Sequence, residues 1–199
     1  MEKRWIKAAT ILPPTIKVAG VRLLPFCLRH RVALEALDSP VLDMSKSVGP
    51  TDLVLAARVL STHNLDDIRQ PWTVAEQFRI ALYNHSPRRF IEELRKLVIY
   101  FEAQSLWPRL WQKDEKPKSV SIPWQLTIVA SLVRNGCNLE SAWTMPEAEA
   151  VWLYFANCKA EGSSVEIISD EEWEAMERSK LTDSTKAQPD PATTNPRAN

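Results

Sequence analysis

Residues 121–161, SIPWQLTIVASLVRNGCNLESAWTMPEAEAVWLYFANCKAE, are the most apolar part of the chain and hold three of its eight tryptophans. In the first half, Trp124, Ile128 and Leu132 fall on one helical face, flanked by Leu126, Val129 and Val133, and Gly136 stands where that helix should end. Asn138 can cap a short turn over 139–143. Thr144-Met-Pro-Glu147 then reads as a capping box, with the proline in the first turn of a helix. Ala148, Val151, Trp152, Phe155 and Ala156 follow the i, i+3, i+4, i+7, i+8 spacing of that second helix. A rigid helical hairpin is the reading, with Gly162 closing it. Its longest apolar run, residues 122–133, is too short and too interrupted by Gln125, Thr127 and Ser131 to span a bilayer.

The rest of the chain must supply a partner layer for this hairpin, and its pattern is also helical. Thr15-Ile-Lys-Val and Val21-Arg-Leu flank Ala19-Gly20, which suggests a small β-hairpin. A helix is expected from Pro25 to about Asp38, carrying Phe26, Leu34 and Leu37. Another follows Gly49-Pro50, capped by Gly49 or Thr51, with Leu53, Ala56, Ala57 and Leu60 on one face. Residues 61–72 read as irregular. Thr73-Val-Ala-Glu76 is a capping box for a helix to about Asn84, and Ser86-Pro87 is a second start signal. Beyond it Phe90, Leu94, Leu97, Val98 and Phe101 form an apolar face, with Glu92 and Lys96 as an i, i+4 pair opposite. Ser169-Asp-Glu-Glu172 opens a last short helix with Trp173 and Met176.

The expectation is a mainly α protein: a compact helical domain of about six to eight helices over residues 15–180, with a small N-terminal β-hairpin. Residues 1–14 read as an irregular arm ended by Pro13-Pro14, and residues 181–199 as a disordered tail with almost nothing to bury. The lysine-rich connector 112–120 is the natural place for a sub-boundary, although its shortness favours a loop within one domain. At 199 residues no metal or disulfide staple is needed to build a core.

No catalytic signature emerges. Four unclustered glycines do not make a phosphate cradle, and there is no nucleophile elbow or Rossmann fingerprint. His30, His63 and His85 lie far apart in sequence. Cys27 and His30 can share a helix face, but two ligands do not make a zinc site, and no cofactor or metal is expected. Cys27, Cys137 and Cys158 have no disulfide or zinc-knuckle spacing and suit buried thiols in a reducing compartment. The N-terminus lacks the apolar core of a signal peptide, so a cytoplasmic protein without membrane contact is expected.

Formal net charge is zero, yet residues 1–120 carry nineteen basic against thirteen acidic side chains, and residues 121–199 six against twelve. Arg88, Arg89, Arg95 and Lys96 are the best candidate phosphate patch, but Glu92 and Glu93 among them favour a solvated helix face. The helix after Gly136 is acidic and apolar, which argues against a DNA-reading helix. The tryptophans point instead to protein contact. Trp124, Trp143 and Trp152 suit a core. Trp107, Leu110 and Trp111, around a proline in a short connector, are candidates for a partner surface as much as for packing.

Residues Trp143-Thr-Met-Pro-Glu-Ala-Glu-Ala-Val-Trp152, with the glycine, extended stretch and acidic helix after them, resemble the tail assembly chaperones encoded beside the tape-measure protein of phages. The front segment GVRLLPFCLRHRVALEAL resembles the opening of phage-associated proteins often found with them. The likeness covers about half of the chain and carries over no site residues. It implies an all-helical, non-enzymatic cytoplasmic protein that coats the hydrophobic tape-measure chain, possible as a homo-oligomer, and helps recruit tail-tube subunits. Two other roles stand beside it: a structural virion component such as a head–tail connector or minor tail protein, and a nucleic-acid-associated protein using the basic front half.

Overall fold

A computed structural model describes residues 3–10, 15–43, 45–111, 122–163, 166–169, 171–176 and 178. The fold is mainly α. Helices α1 (Lys3–Thr10), α2 (Leu28–Ala36), α3 (Pro50–Leu60), α4 (Leu65–Arg69), α5 (Val74–His85), α6 (Pro87–Gln104), α7 (Trp124–Arg134), α8 (Leu139–Thr144) and α9 (Glu147–Ala160) are joined by a 3-10 turn at Pro40–Leu42. Residues 171–176 are also helical, so the described residues hold more helices than the sequence pattern suggested.

Strands β1 (Lys17–Val18) and β2 (Val21–Arg22) form the expected hairpin. Ala19 and Gly20 take φ of +47° and +73° at its turn, the left-handed geometry that matches strand twist in a two-residue loop. So short a ribbon needs an anchor. The Ala19 amide donates to the Glu93 carboxylate of α6 at 2.7 Å, and the Tyr100 hydroxyl donates to the Leu24 carbonyl at 2.6 Å.

Two apolar clusters organise the helices. The first gathers Val18, Leu23 and Phe26 with Leu34 of α2, Leu53, Ala56, Ala57 and Leu60 of α3, Tyr83 of α5, and Leu97 and Tyr100 of α6. The second joins Ile128, Val129 and Leu132 of α7, Ala142 of α8, and Ala150 and Val151 of α9 to Leu28. Helix α2 therefore belongs to both: Leu28 in its first turn enters the second cluster, and Ala33 and Leu34 enter the first.

Several local expectations are corrected. The arm is helical over α1, because Trp5 docks on Trp152 with ring centroids 6.0 Å apart; eight residues alone would not hold a helix in water. Residues 65–69 form α4, whose start the Asn64 side chain caps by accepting from the Asp66 amide at 3.1 Å. Ser86 makes no side-chain cap to α6. On α6, Val98 is exposed and Tyr100 takes the inner place beside Leu97. Lys96 pairs with Glu93 rather than Glu92, and Glu92 accepts from Arg88 at 3.3 Å.

The boxes at Thr73–Glu76 and Ser169–Glu172 form as read, and Asn138 caps α8. Before α3, the Asp52 carboxylate accepts from the Gly49 amide at 2.8 Å. The hairpin α7–α8–α9 is present, and Gly136 ends α7 with φ of +91°. Strand β3 (Arg109–Trp111) pairs antiparallel with β4 (Glu166–Ile168) in the register Arg109–Ile168, Leu110–Ile167, Trp111–Glu166. The connector 112–120, the cap at Ser121 and the tail 181–199 lie outside the described residues.

Glu76 does more than cap. Arg58 of α3 donates to its carboxylate through Nε at 2.7 Å, lies 4.5 Å over the Trp72 ring and donates to the Gln70 carbonyl at 2.7 Å. The Arg58 hydrogen bond, more than the contribution of Thr73, holds Glu76 at about 2, below its usual 4.5. With each pKa unit worth about 1.4 kcal/mol, and allowance for water at the edge of the pair, the interaction contributes about 2 kcal/mol. A depressed carboxyl stabilises fully above its unfolded value and loses that contribution as pH falls through the folded one. Acid titration of urea midpoints should therefore fall between pH 4.5 and pH 2. In Arg58→Met the loss is expected at neutral pH already, with a shallower slope across the same window.

Candidate functional site

Helix α2 carries the groups that converge. Cys27 precedes its first residue, with an extended backbone that bridges Pro146 at the start of α9. From there Arg29, His30 and Arg31 leave the first turn in three directions.

Arg29 turns outward. It holds Glu140 of α8 through two hydrogen bonds, at 2.7 and 2.6 Å, and donates to the His63 carbonyl at 3.1 Å. The pair lines a groove of about 750 Å³ formed by α2, residues 63–65 and α8. Its lining is largely apolar: Val32, Ala33, Ala36, Leu65 and Trp143, with His63 and Asn64 at the side. That volume lies within the range of about 300–1,000 Å³ typical of ligand clefts.

Arg31 turns inward. Its guanidinium sits 5.1 Å from the Phe26 ring, 5.4 Å from Trp107 and 5.5 Å from Trp124, and grips Glu147 with two hydrogen bonds, the Nη2–Oε2 one at 2.9 Å. The Glu147 amide donates to the Phe26 carbonyl at 2.7 Å. Burial pushes the Glu147 carboxyl above its usual range, against the pull of Arg31 and a hydrogen bond from Trp107. The capping box expected at Thr144–Glu147 is corrected here. Thr144 ends α8 with its hydroxyl donating to the Glu140 carbonyl at 2.8 Å, and Glu147 is buried as the counter-ion of Arg31.

His30 turns toward the loop between α3 and α4. Its Nε2 lies 3.0 Å from the Thr62 carbonyl and its ring centroid 5.1 Å from that of His63. Burial lowers His30 to about 4, against weaker opposing contributions from the Thr62 and Pro25 carbonyls, so the ring is neutral at physiological pH. Burial likewise raises the Cys27 thiol to about 11. One donor atom from each of Cys27, His30 and His63 lies within 4.8 Å of the other two. Sequence spacing exposed the first two as neighbours, but nothing in it brought His63 to them. Burial of His30 Nδ1 and His63 Nε2 without a hydrogen-bond partner marks the cluster as chemically unfinished.

No family model, curated protein or solved structure matches this chain. Function is therefore argued from the site itself.

The candidates named from sequence are scattered. Trp107 is half-buried, meets Trp124 edge to face at 5.4 Å and completes the cage around Arg31. Leu110 and Trp111 lie on β3, and their side chains fall outside the described residues. Arg88, Arg89, Arg95 and Lys96 all lie exposed on α6, with Arg88 and Lys96 paired to Glu92 and Glu93. The tryptophans read as core divide as well. Trp152 is buried, whereas Trp124 and Trp143 keep an exposed edge. No helix among the described residues is long and apolar enough to cross a membrane.

Proposed function

We propose that the chain is a non-enzymatic tail assembly chaperone or adaptor of a phage, acting in the host cytoplasm and holding an apolar helical client such as the tape-measure chain. The observation that carries this reading is the groove lined by α2, residues 63–65 and α8, largely apolar and holding the Arg29–Glu140 ion pair among its lining residues. An amphipathic helix can seat side chains spaced i, i+4 on such a lining, and the Arg29–Glu140 pair can meet its polar groups. The likeness of residues 143–152 to tail chaperones supports the same role, and α8 and α9, which those residues span, bear on the groove and on α2.

Co-expression with a long, helix-rich tape-measure protein tests the proposal. The expected result is a soluble complex of the two and loss of the chain from mature particles. Stoichiometric copies in purified virions would favour a connector or minor tail protein instead and overturn it.

A further inference from the structure

We propose that Cys27, His30 and His63 form a binding site for one zinc ion, with the Cys27 thiolate and one imidazole nitrogen from each histidine as ligands. The donors are one sulfur and two nitrogens, the set that zinc favours over magnesium or calcium. They come from two separate places in the chain, the start of α2 and the loop after α3, which the fold brings within 4.8 Å of one another. Tetrahedral zinc with bonds of about 2.0–2.3 Å places its ligand atoms about 3.5 Å apart. The donor atoms must therefore draw together by up to about 1.3 Å when the ion binds.

Two features separate this cluster from a chance meeting of buried side chains. His30 is 1% exposed, and its buried Nδ1 makes no hydrogen bond of ordinary geometry, although the Pro25 carbonyl acts weakly on the ring. His63 Nε2 is buried without a partner as well. Buried imidazole nitrogens are ordinarily satisfied, and a cation is the partner that two lone pairs and a thiol can share. The Nε2 of His30 also faces the Thr62 carbonyl at 3.0 Å, the outer hydrogen bond that fixes tautomer and ring orientation in histidine ligands. His63 also lines the groove. Binding replaces the Cys27 thiol proton with the metal and releases that proton to solvent.

The bound ion would tie the first turn of α2 to the 61–64 loop and so stiffen one wall of the groove. This inference does not depend on the identity of the client. Its test uses the full chain without an affinity tag, loaded with zinc chloride and passed through a desalting column. Metal analysis should find one zinc per chain, and the thermal midpoint should fall on chelation. The cobalt-loaded protein should show tetrahedral d–d bands and a thiolate charge-transfer band. That band should vanish in Cys27→Ser and persist in Cys137→Ser, while His63→Gln should retain no zinc. Folded wild-type protein that keeps no zinc, or shows a charge-transfer band that follows Cys137, would overturn the assignment. The wild-type measurements decide the matter even where a variant fails to fold.

Discussion

Arg31→Met should lower the stability of the protein by about 3 kcal/mol near pH 8 and by less near pH 5. The substitution keeps the bulk of the side chain but leaves Glu147 buried without its cation. Breaking a buried pair from one side costs about 3–5 kcal/mol because the remaining charge keeps its desolvation penalty. Glu147 can escape part of that penalty by taking a proton. Burial already raises its carboxyl above the usual 4.5, and loss of Arg31 raises it further. A carboxyl raised in the folded state contributes stability that is present below its unfolded value and lost as pH rises through the folded one. The deficit of Arg31→Met should therefore deepen from pH 4.5 upward, read as urea midpoints across the range. Glu147→Gln should cost only about 1–2 kcal/mol, because the guanidinium keeps its aromatic contacts and some access to water. The double variant should be more stable than Arg31→Met alone; equal or lower stability would contradict the pairing.

Trp152→Ala should be the other large loss, about 4 kcal/mol, as expected for emptying a buried aromatic site. Trp152 is 6% exposed, packs in the C-terminal half and gives its indole N–H to the Leu106 carbonyl at 2.7 Å. It also receives Trp5, so its removal takes the dock from α1. Against a whole stability of about 5–15 kcal/mol, that is a large share, and at about 2–4 °C per kcal/mol the midpoint should drop by roughly 10 °C. Hydrogen exchange should show α1 losing protection together with the global change. Trp152→Phe should retain much of the packing and lose about 1–2 kcal/mol through the orphaned Leu106 carbonyl. An α1 that keeps its protection in Trp152→Ala would contradict the docking.

The elements that depend on local signals were legible in the sequence. Apolar spacing located α3, α6, α7 and α9, and the threonine, serine and asparagine caps located α5, the last helix and α8. Helix α1 was hidden because its stability comes from Trp5 on Trp152, residues separated by most of the chain. Glu147 departs from its sequence pattern for a different reason. Thr144-x-x-Glu147 satisfies the capping-box pattern, and only the placement of Arg31 on a neighbouring helix gives the carboxylate a stronger partner. The candidate site was legible in pieces. Cys27 and His30 sit one turn apart and could be paired by eye, whereas His63 reaches them through the path of α3. The groove is harder still, because its lining comes from α2, residues 63–65 and α8, and no stretch of sequence holds them together.

The central claim is that the groove beside α2 is where a client helix seats. Val32 and Leu65 line it and are exposed, so Val32→Glu and Leu65→Glu should leave the fold intact while placing carboxylates in the apolar lining. Phe78, also exposed but away from the groove lining, provides the control as Phe78→Ser. The measurement is recovery of a co-expressed tape-measure chain, the proposed client, with each variant, beside its thermal midpoint. Both groove variants should lose the client at an unchanged midpoint, and Phe78→Ser should retain it. Full recovery by the groove variants, or loss confined to Phe78→Ser, would contradict the claim.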